Sequence, residues 1–144
     1  MSSLSQVLLD PAKRPQVVAS LSSVVDEEVA GKGGLSGAAL KTAFGAAKKA
    51  KADLVPKALD RLLPDFAAKL DPFWAAKGEQ PFGAYLTSRK GEVSDELLAV
   101  ADAKVEAYDN AGIKKAYGAI RGKASGYVEE SLPRVGAAIE GLMA

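Results

Sequence analysis

The chain has no cysteine and no histidine among its 144 residues. Without cysteine there are no disulfides, thiol nucleophiles or thiolate metal ligands, and without histidine there are no imidazole metal sites or histidine-based triads. Walker, GxGxxG and GxSxG motifs are also missing. We therefore predict no catalytic residues, no metal site and no cofactor. An enzyme that uses carboxylates alone is the catalytic alternative, although no pair of carboxylates stands out by its spacing.

An excess of one charge and long hydrophobic runs are missing as well. Lysine and arginine number 19 against 18 aspartate and glutamate, so the net charge is +1 and any electrostatic role must be local. No stretch approaches the roughly 18 apolar residues of a transmembrane helix. The first residues lack the basic start and apolar run of a secretory signal. Cytoplasmic localisation is the resulting expectation.

Strand signals are scarce, while alanine and leucine are abundant, which favours helix throughout. The length and the 48% apolar content are typical of one folded domain, which we place at residues 1–144. Proline, glycine and capping residues, including Asn110, predict about eight helices, at 15–30, 36–52, 56–63, 64–70, 82–89, 92–109, 111–124 and 126–143. The predicted fold class is therefore all-α, a compact helical bundle.

One ten-residue phrase occurs twice, as LKTAFGAAKK at 40–49 and as IKKAYGAIRG at 113–122. With an offset of 76, residues 15–30 align with 91–106, and five of the sixteen positions are identical. With an offset of 73, residues 39–66 align with 112–139, and seven of twenty-eight are identical. This indicates an internal repeat, with copies at approximately 5–76 and 82–144 packed as a pseudo-two-fold bundle.

Each copy of the phrase places an aromatic residue beside a glycine, as Phe44 with Gly45 and Tyr117 with Gly118. Glycine inside a helix costs about 1 kcal/mol relative to alanine. Its presence in both copies predicts a helix contact at these four residues, where two backbones approach closely.

The same helices are rich in lysine, and together they predict a basic surface. Its members are Lys41, Lys48, Lys49, Lys51, Lys114, Lys115, Arg121 and Lys123. Such a surface suits a phosphate group on a small ligand, a lipid or a nucleic acid. The alternative is that these cations only solubilise alanine-rich helices or pair with acidic residues elsewhere in the fold.

Four of the nine aromatic residues are clustered near the boundary between the copies, at Phe73, Trp74, Phe82 and Tyr85. The favoured interpretation is that they fill the junction between the copies, because aromatic rings often dominate cores. The alternative is a pocket for a hydrophobic ligand.

The stretches LLDPAKRPQVVASLSSVVDEEV, VPKALDRLLPDF and IKKAYGAIRGKASGYVEESLPRVG resemble an uncharacterised family of short, alanine-rich actinobacterial proteins. The resemblance implies a bacterial, cytoplasmic protein and no particular activity. The leading functional prediction is a non-enzymatic binding protein for a small anionic or amphipathic, lipid-like ligand. The alternatives are association with nucleic acid or the nucleoid through the lysine-rich helices, and a protein–protein interaction module. Whether a second chain completes the bundle stays open.

Overall fold

The structure is a computed structural model, and it describes residues 3–50 and 52–144. Every regular element in these ranges is a helix, which confirms the predicted all-α class. The helices are α1 (Leu4–Leu8), α2 (Arg14–Gly31), α3 (Gly34–Ala50), α4 (Leu54–Ala76), α5 (Phe82–Ser88), α6 (Lys90–Ala107) and α7 (Ala111–Met143). Seven helices in the described ranges replace the predicted number of about eight.

The helix ends follow local rules. The Asn110 side chain accepts a hydrogen bond from the backbone N–H of Ile113 at 3.1 Å, so α7 begins where the sequence predicts. Gly34, the first residue of α3, has a φ of 70°, and Gly78, which lies just beyond α4, has a φ of 60°. Both values lie in the left-handed region that glycine adopts without steric cost.

The predicted helices 56–63 and 64–70 form one helix, α4, and 111–124 and 126–143 form one helix, α7, while α1 is a helix that the sequence did not predict. Pro64, at a predicted helix boundary, and Pro72 lie inside α4, and Pro133 lies inside α7. A proline in a helix removes one backbone hydrogen bond. Here the helices continue because the residues on both sides of each proline share one buried face, such as Leu132 and Ile139 in α7. Tertiary packing outweighs the local penalty.

The hydrophobic core occupies the part of the bundle where the short helices α1 and α5 pack on the long ones. α1 packs on α4, and α5 packs on α7, while α2 and α6 contact both α4 and α7. Its buried members are Leu4, Leu8, Val17, Leu63, Ala67, Leu70, Phe82, Leu86, Val93, Leu132, Ile139 and Leu142. Helix α3 supplies no member of this cluster among the described residues, and packs on α7 outside it.

The predicted close contact at Gly45 and Gly118 is wrong. Both glycines are exposed, and a Cβ added to either would meet nothing within 4 Å. The close backbone approach occurs instead where α5 crosses α7, between Gly83 and Gly136. A Cβ on Gly83 would lie 2.7 Å from the carbonyl oxygen of Pro133. The glycines in the repeated phrase therefore lie on the outer face of their helices.

Candidate functional site

A cavity of about 600 Å³ lies between α3, the first half of α4, the end of α6 and the first half of α7. Its lining residues are Val25, Ala43, Phe44, Ala47, Leu54, Val55, Lys57, Ala58, Leu59, Arg61, Leu62, Ala101, Lys104, Val105, Ala107, Tyr108, Ile113, Ala116, Tyr117 and Ile120. Most of these side chains are alkyl or aromatic. Among the residues that line it, none carries a carboxylate, an amide or an aliphatic hydroxyl.

The repeated phrase forms two walls of this cavity. Residues three and four positions apart share one face of a helix. In α3 that face presents Ala43, Phe44 and Ala47, and in α7 it presents Ala116, Tyr117 and Ile120. These residues occupy the same positions in the two phrases, so both phrases turn the same apolar face inwards and their glycines outwards.

The polar groups of the cavity are concentrated at its rim, where three exposed cations stand: Lys57, Arg61 and Lys104. Lys57 Nζ lies 2.9 Å from Asp53 Oδ2, and Lys104 Nζ lies 3.2 Å from Asp65 Oδ2. The Arg61 guanidinium instead lies over the ring of Tyr108, with 5.5 Å between Cζ and the ring centroid. Arg61 makes no ion pair with any other residue that the structure describes.

Tyr117 extends from the cavity wall to a charged cluster. Its hydroxyl donates to Asp102 Oδ1 at 2.6 Å, and Arg121 donates to both Asp102 oxygens at 2.7 and 2.9 Å. The hydrogen bonds from Arg121 and then from Tyr117 lower the pKa of Asp102 below its ordinary value. Burial, together with the hydrogen bond to Asp102, raises the pKa of Tyr117. The tyrosine is therefore held neutral, with its ring in the wall.

A family model described as a family of unknown function, DUF6918, matches residues 4–143. The chain belongs to the DUF6918 family. The match extends from the first residue of α1 to the last residue of α7, so it covers the whole bundle. This confirms the predicted resemblance to an uncharacterised family. Comparisons with curated proteins and with solved structures find no match.

The predicted basic surface does not coincide with the cavity of this DUF6918 protein. Lys41, Lys49, Lys114, Lys115 and Lys123 are exposed, and none of them lines the cavity. Lys48 Nζ is paired with Asp26 Oδ1 at 3.1 Å, and Arg121 is paired with Asp102. Lys51 lies outside the described residues. Lys48 and Arg121 of the predicted basic surface therefore form ion pairs between neighbouring helices.

The four clustered aromatic residues do not line the cavity either. Phe82 and Tyr85 are buried, and the rings of Trp74 and Phe82 meet edge to face, with centroids 5.0 Å apart. Phe73 and Trp74 pack against the hydrophobic core. Lys77 Nζ lies 4.5 Å from the centroid of the Trp74 ring. These residues are placed at the α4–α5 junction, in the core part of the bundle.

Sequence reasoning missed the rim residues Arg61, Lys104 and Tyr108. No local pattern marks them, since α4 and α6 are remote in sequence and meet only in the folded chain. The helices that the structure describes include none that is both long and apolar enough to cross a membrane.

Proposed function

We propose that this protein is a non-catalytic binding protein for a small amphipathic molecule, which it holds in the cavity between α3, α4, α6 and α7. The observation that carries the proposal is an apolar cavity of about 600 Å³ with its cations confined to the rim. Sites for small molecules usually measure about 300–1,000 Å³ and have apolar walls with a few polar groups. The walls therefore offer mainly hydrophobic contact to a ligand.

The volume limits the size of the ligand. At about 30 Å³ for each water-sized group, the cavity has room for roughly 20 such groups. Burial of each methylene contributes about 0.8 kcal/mol, which is about a fourfold gain in affinity. A single alkyl chain of 10–16 carbons is of a suitable size.

Association with nucleic acid is the second candidate. The ion pairs within the basic surface make it a weaker candidate than binding in the cavity. Arg121 and Lys48 each compensate an aspartate on a neighbouring helix, so their charges are partly neutralised within the fold. A nucleic-acid site would instead need its cations directed at phosphate groups. The cavity also has no role in that candidate.

We also propose that the two walls come from related copies of one helical unit. Adding 76 to both bounds of α2 gives the bounds of α6, and Val17 and Val93 are both fully buried. The ion pair between Asp26 and Lys48 has its counterpart between Asp102 and Arg121. The repeated phrase therefore supplies in each copy the same apolar face and a cation at the same position.

The offset of 73 that the sequence indicates up to residue 66 is replaced by 69 after the turn between α3 and α4. With an offset of 69, Leu63 aligns with Leu132, Pro64 with Pro133, and Leu70 with Ile139. The four leucine and isoleucine side chains are all buried. The difference of four residues falls where copy one is interrupted and α7 is continuous.

The test is calorimetric titration with alkyl carboxylates of 8, 10, 12, 14 and 16 carbons, each below its micelle concentration. We expect a single site and a gain in affinity of about fifteenfold for every two carbons until the cavity is full, because each methylene contributes about 0.8 kcal/mol. Beyond that length the gain should stop. Native mass spectrometry of freshly purified protein would reveal a ligand that is already bound.

A pair of alanine variants separates the cavity from general hydrophobic adsorption. Ala116 lies in the wall, whereas Ala119, less than one turn further along the same helix, is exposed and does not line the cavity. Ala116→Phe should weaken binding of the 12-carbon chain at least tenfold, and Ala119→Phe should leave it unchanged. Equal effects of the two substitutions, or no saturable binding by the original protein, would refute the proposal.

A further inference from the structure

The rim of the cavity carries charged side chains, whereas its walls are apolar. The net charge of the rim indicates which headgroup a ligand should have. Among the described residues, three cations line the rim, and two of them are paired with carboxylates outside the lining, Lys57 with Asp53 and Lys104 with Asp65. Three positive charges less two negative charges leave one positive charge. That remaining charge belongs to Arg61.

The orientation of the Arg61 guanidinium suits the binding of a planar anion. Its guanidinium lies over the Tyr108 ring at 5.5 Å, a contact that orients the group without using its N–H donors. Asp65 stands one turn further along α4 and is within salt-bridge distance of Lys104 on α6. A guanidinium presents its donors in a rigid fork that matches the two oxygens of a carboxylate.

We infer that the ligand is a single-chain carboxylate, whose alkyl chain fills the cavity and whose carboxylate binds Arg61 at the rim. The inference rests on the proposed function, because it needs the cavity to hold the chain. The single uncompensated charge favours a monoanion over a dianionic phosphate headgroup. Lys57 and Lys104 stand beside the headgroup but remain bonded to their own aspartates.

The experiment compares dodecanoate, 1-dodecanol and dodecyl phosphate on the full chain, with Arg61→Gln and a matched control, Arg89→Gln. Arg89 is also exposed and also lies over a tyrosine ring, that of Tyr85 at 5.8 Å, but it does not line the cavity. We expect the original protein to bind dodecanoate at least tenfold more tightly than dodecanol, and no less tightly than dodecyl phosphate. Arg61→Gln should reduce the first ratio to about one, and Arg89→Gln should preserve it.

The outcomes distinguish a failure of the carboxylate inference from a failure of the cavity proposal. Equal binding of dodecanoate and dodecanol by the original protein, or a preference for dodecanoate that survives Arg61→Gln, overturns the carboxylate inference and leaves the cavity proposal standing. Tighter binding of dodecyl phosphate overturns the choice of a monoanion. Failure of all three compounds to bind overturns the proposed function and this inference together.

Discussion

The crossing of α5 over α7 provides a sharp test of the packing. A Cβ on Gly136 would lie 2.9 Å from the carbonyl carbon of Phe82, and still closer to the Cα and N atoms of Gly83. All three are backbone atoms, so no side chain can rotate away from the added methyl group. Gly136→Ala must therefore separate the two helices.

The magnitude follows from two opposed effects. Overpacking of a core costs about 1–3 kcal/mol, and this site belongs at the upper end because backbone meets backbone. Replacing glycine by alanine within a helix stabilises the folded state by about 1 kcal/mol. The net loss is about 2 kcal/mol. With an unfolding entropy of roughly 2.1 cal/mol/K for each of 144 residues, Tm should fall by about 7 °C.

The matched control is Gly118→Ala, the same substitution in the same helix. Gly118 is exposed, and an added Cβ meets nothing within 4 Å, so only the helix propensity changes. Its Tm should rise by up to about 3 °C, a stabilisation of about 1 kcal/mol. Circular dichroism melts of both variants measure the two shifts. If both variants shift in the same direction, the reasoning about the α5–α7 crossing is wrong.

Two further predictions concern polar contacts. Asp102 has a lowered pKa in the folded protein, so it stabilises the fold above its ordinary pKa of about 4, and this stabilisation is lost as the pH falls through its folded value. Asp102→Asn should therefore be destabilising at neutral pH, with a deficit that narrows at pH values near 3; urea unfolding that shows a constant deficit would contradict this. Asp71 accepts hydrogen bonds from the backbone N–H of Ser5 at 3.3 Å and from its hydroxyl at 2.5 Å, which attach α1 to α4. Asp71→Ala should cost about 1–2 kcal/mol and lower Tm by about 3–7 °C, and an unchanged melting curve would show that the attachment does not stabilise the fold.

The features that the sequence predicts well are the local ones. Helix class, the cap at Asn110 and the glycine boundaries at 31–34 and 78 depend on neighbouring residues and on backbone conformation. The spacing of apolar residues along α2 is equally local: Val17 and Val24, seven residues apart, lie on one face and are both buried. These signals need no knowledge of the remaining chain.

The sequence does not predict the features that depend on tertiary contacts. Pro64 and Pro133 carry local signals for a break, but the buried faces around them keep each helix intact. The glycines also could not be sorted by pattern, since Gly118 and Gly136 have similar helical surroundings and only the position of α5 distinguishes them. The cavity was missed for the same reason, because four helices from distant parts of the chain form it.

Helix α7 has a consequence for the order in which the molecule is made. Its 33 residues extend about 50 Å, and α1, α2, α3, α5 and α6 all contact it. A ribosome adds about 5–20 residues per second, so this helix takes about 2–7 s to synthesise after the others have been completed. During that interval the helices that pack on α7 lack its side chains, such as Leu132 and Ile139, and part of the hydrophobic core is missing. We therefore expect the nascent chain to expose apolar surface until α7 is complete.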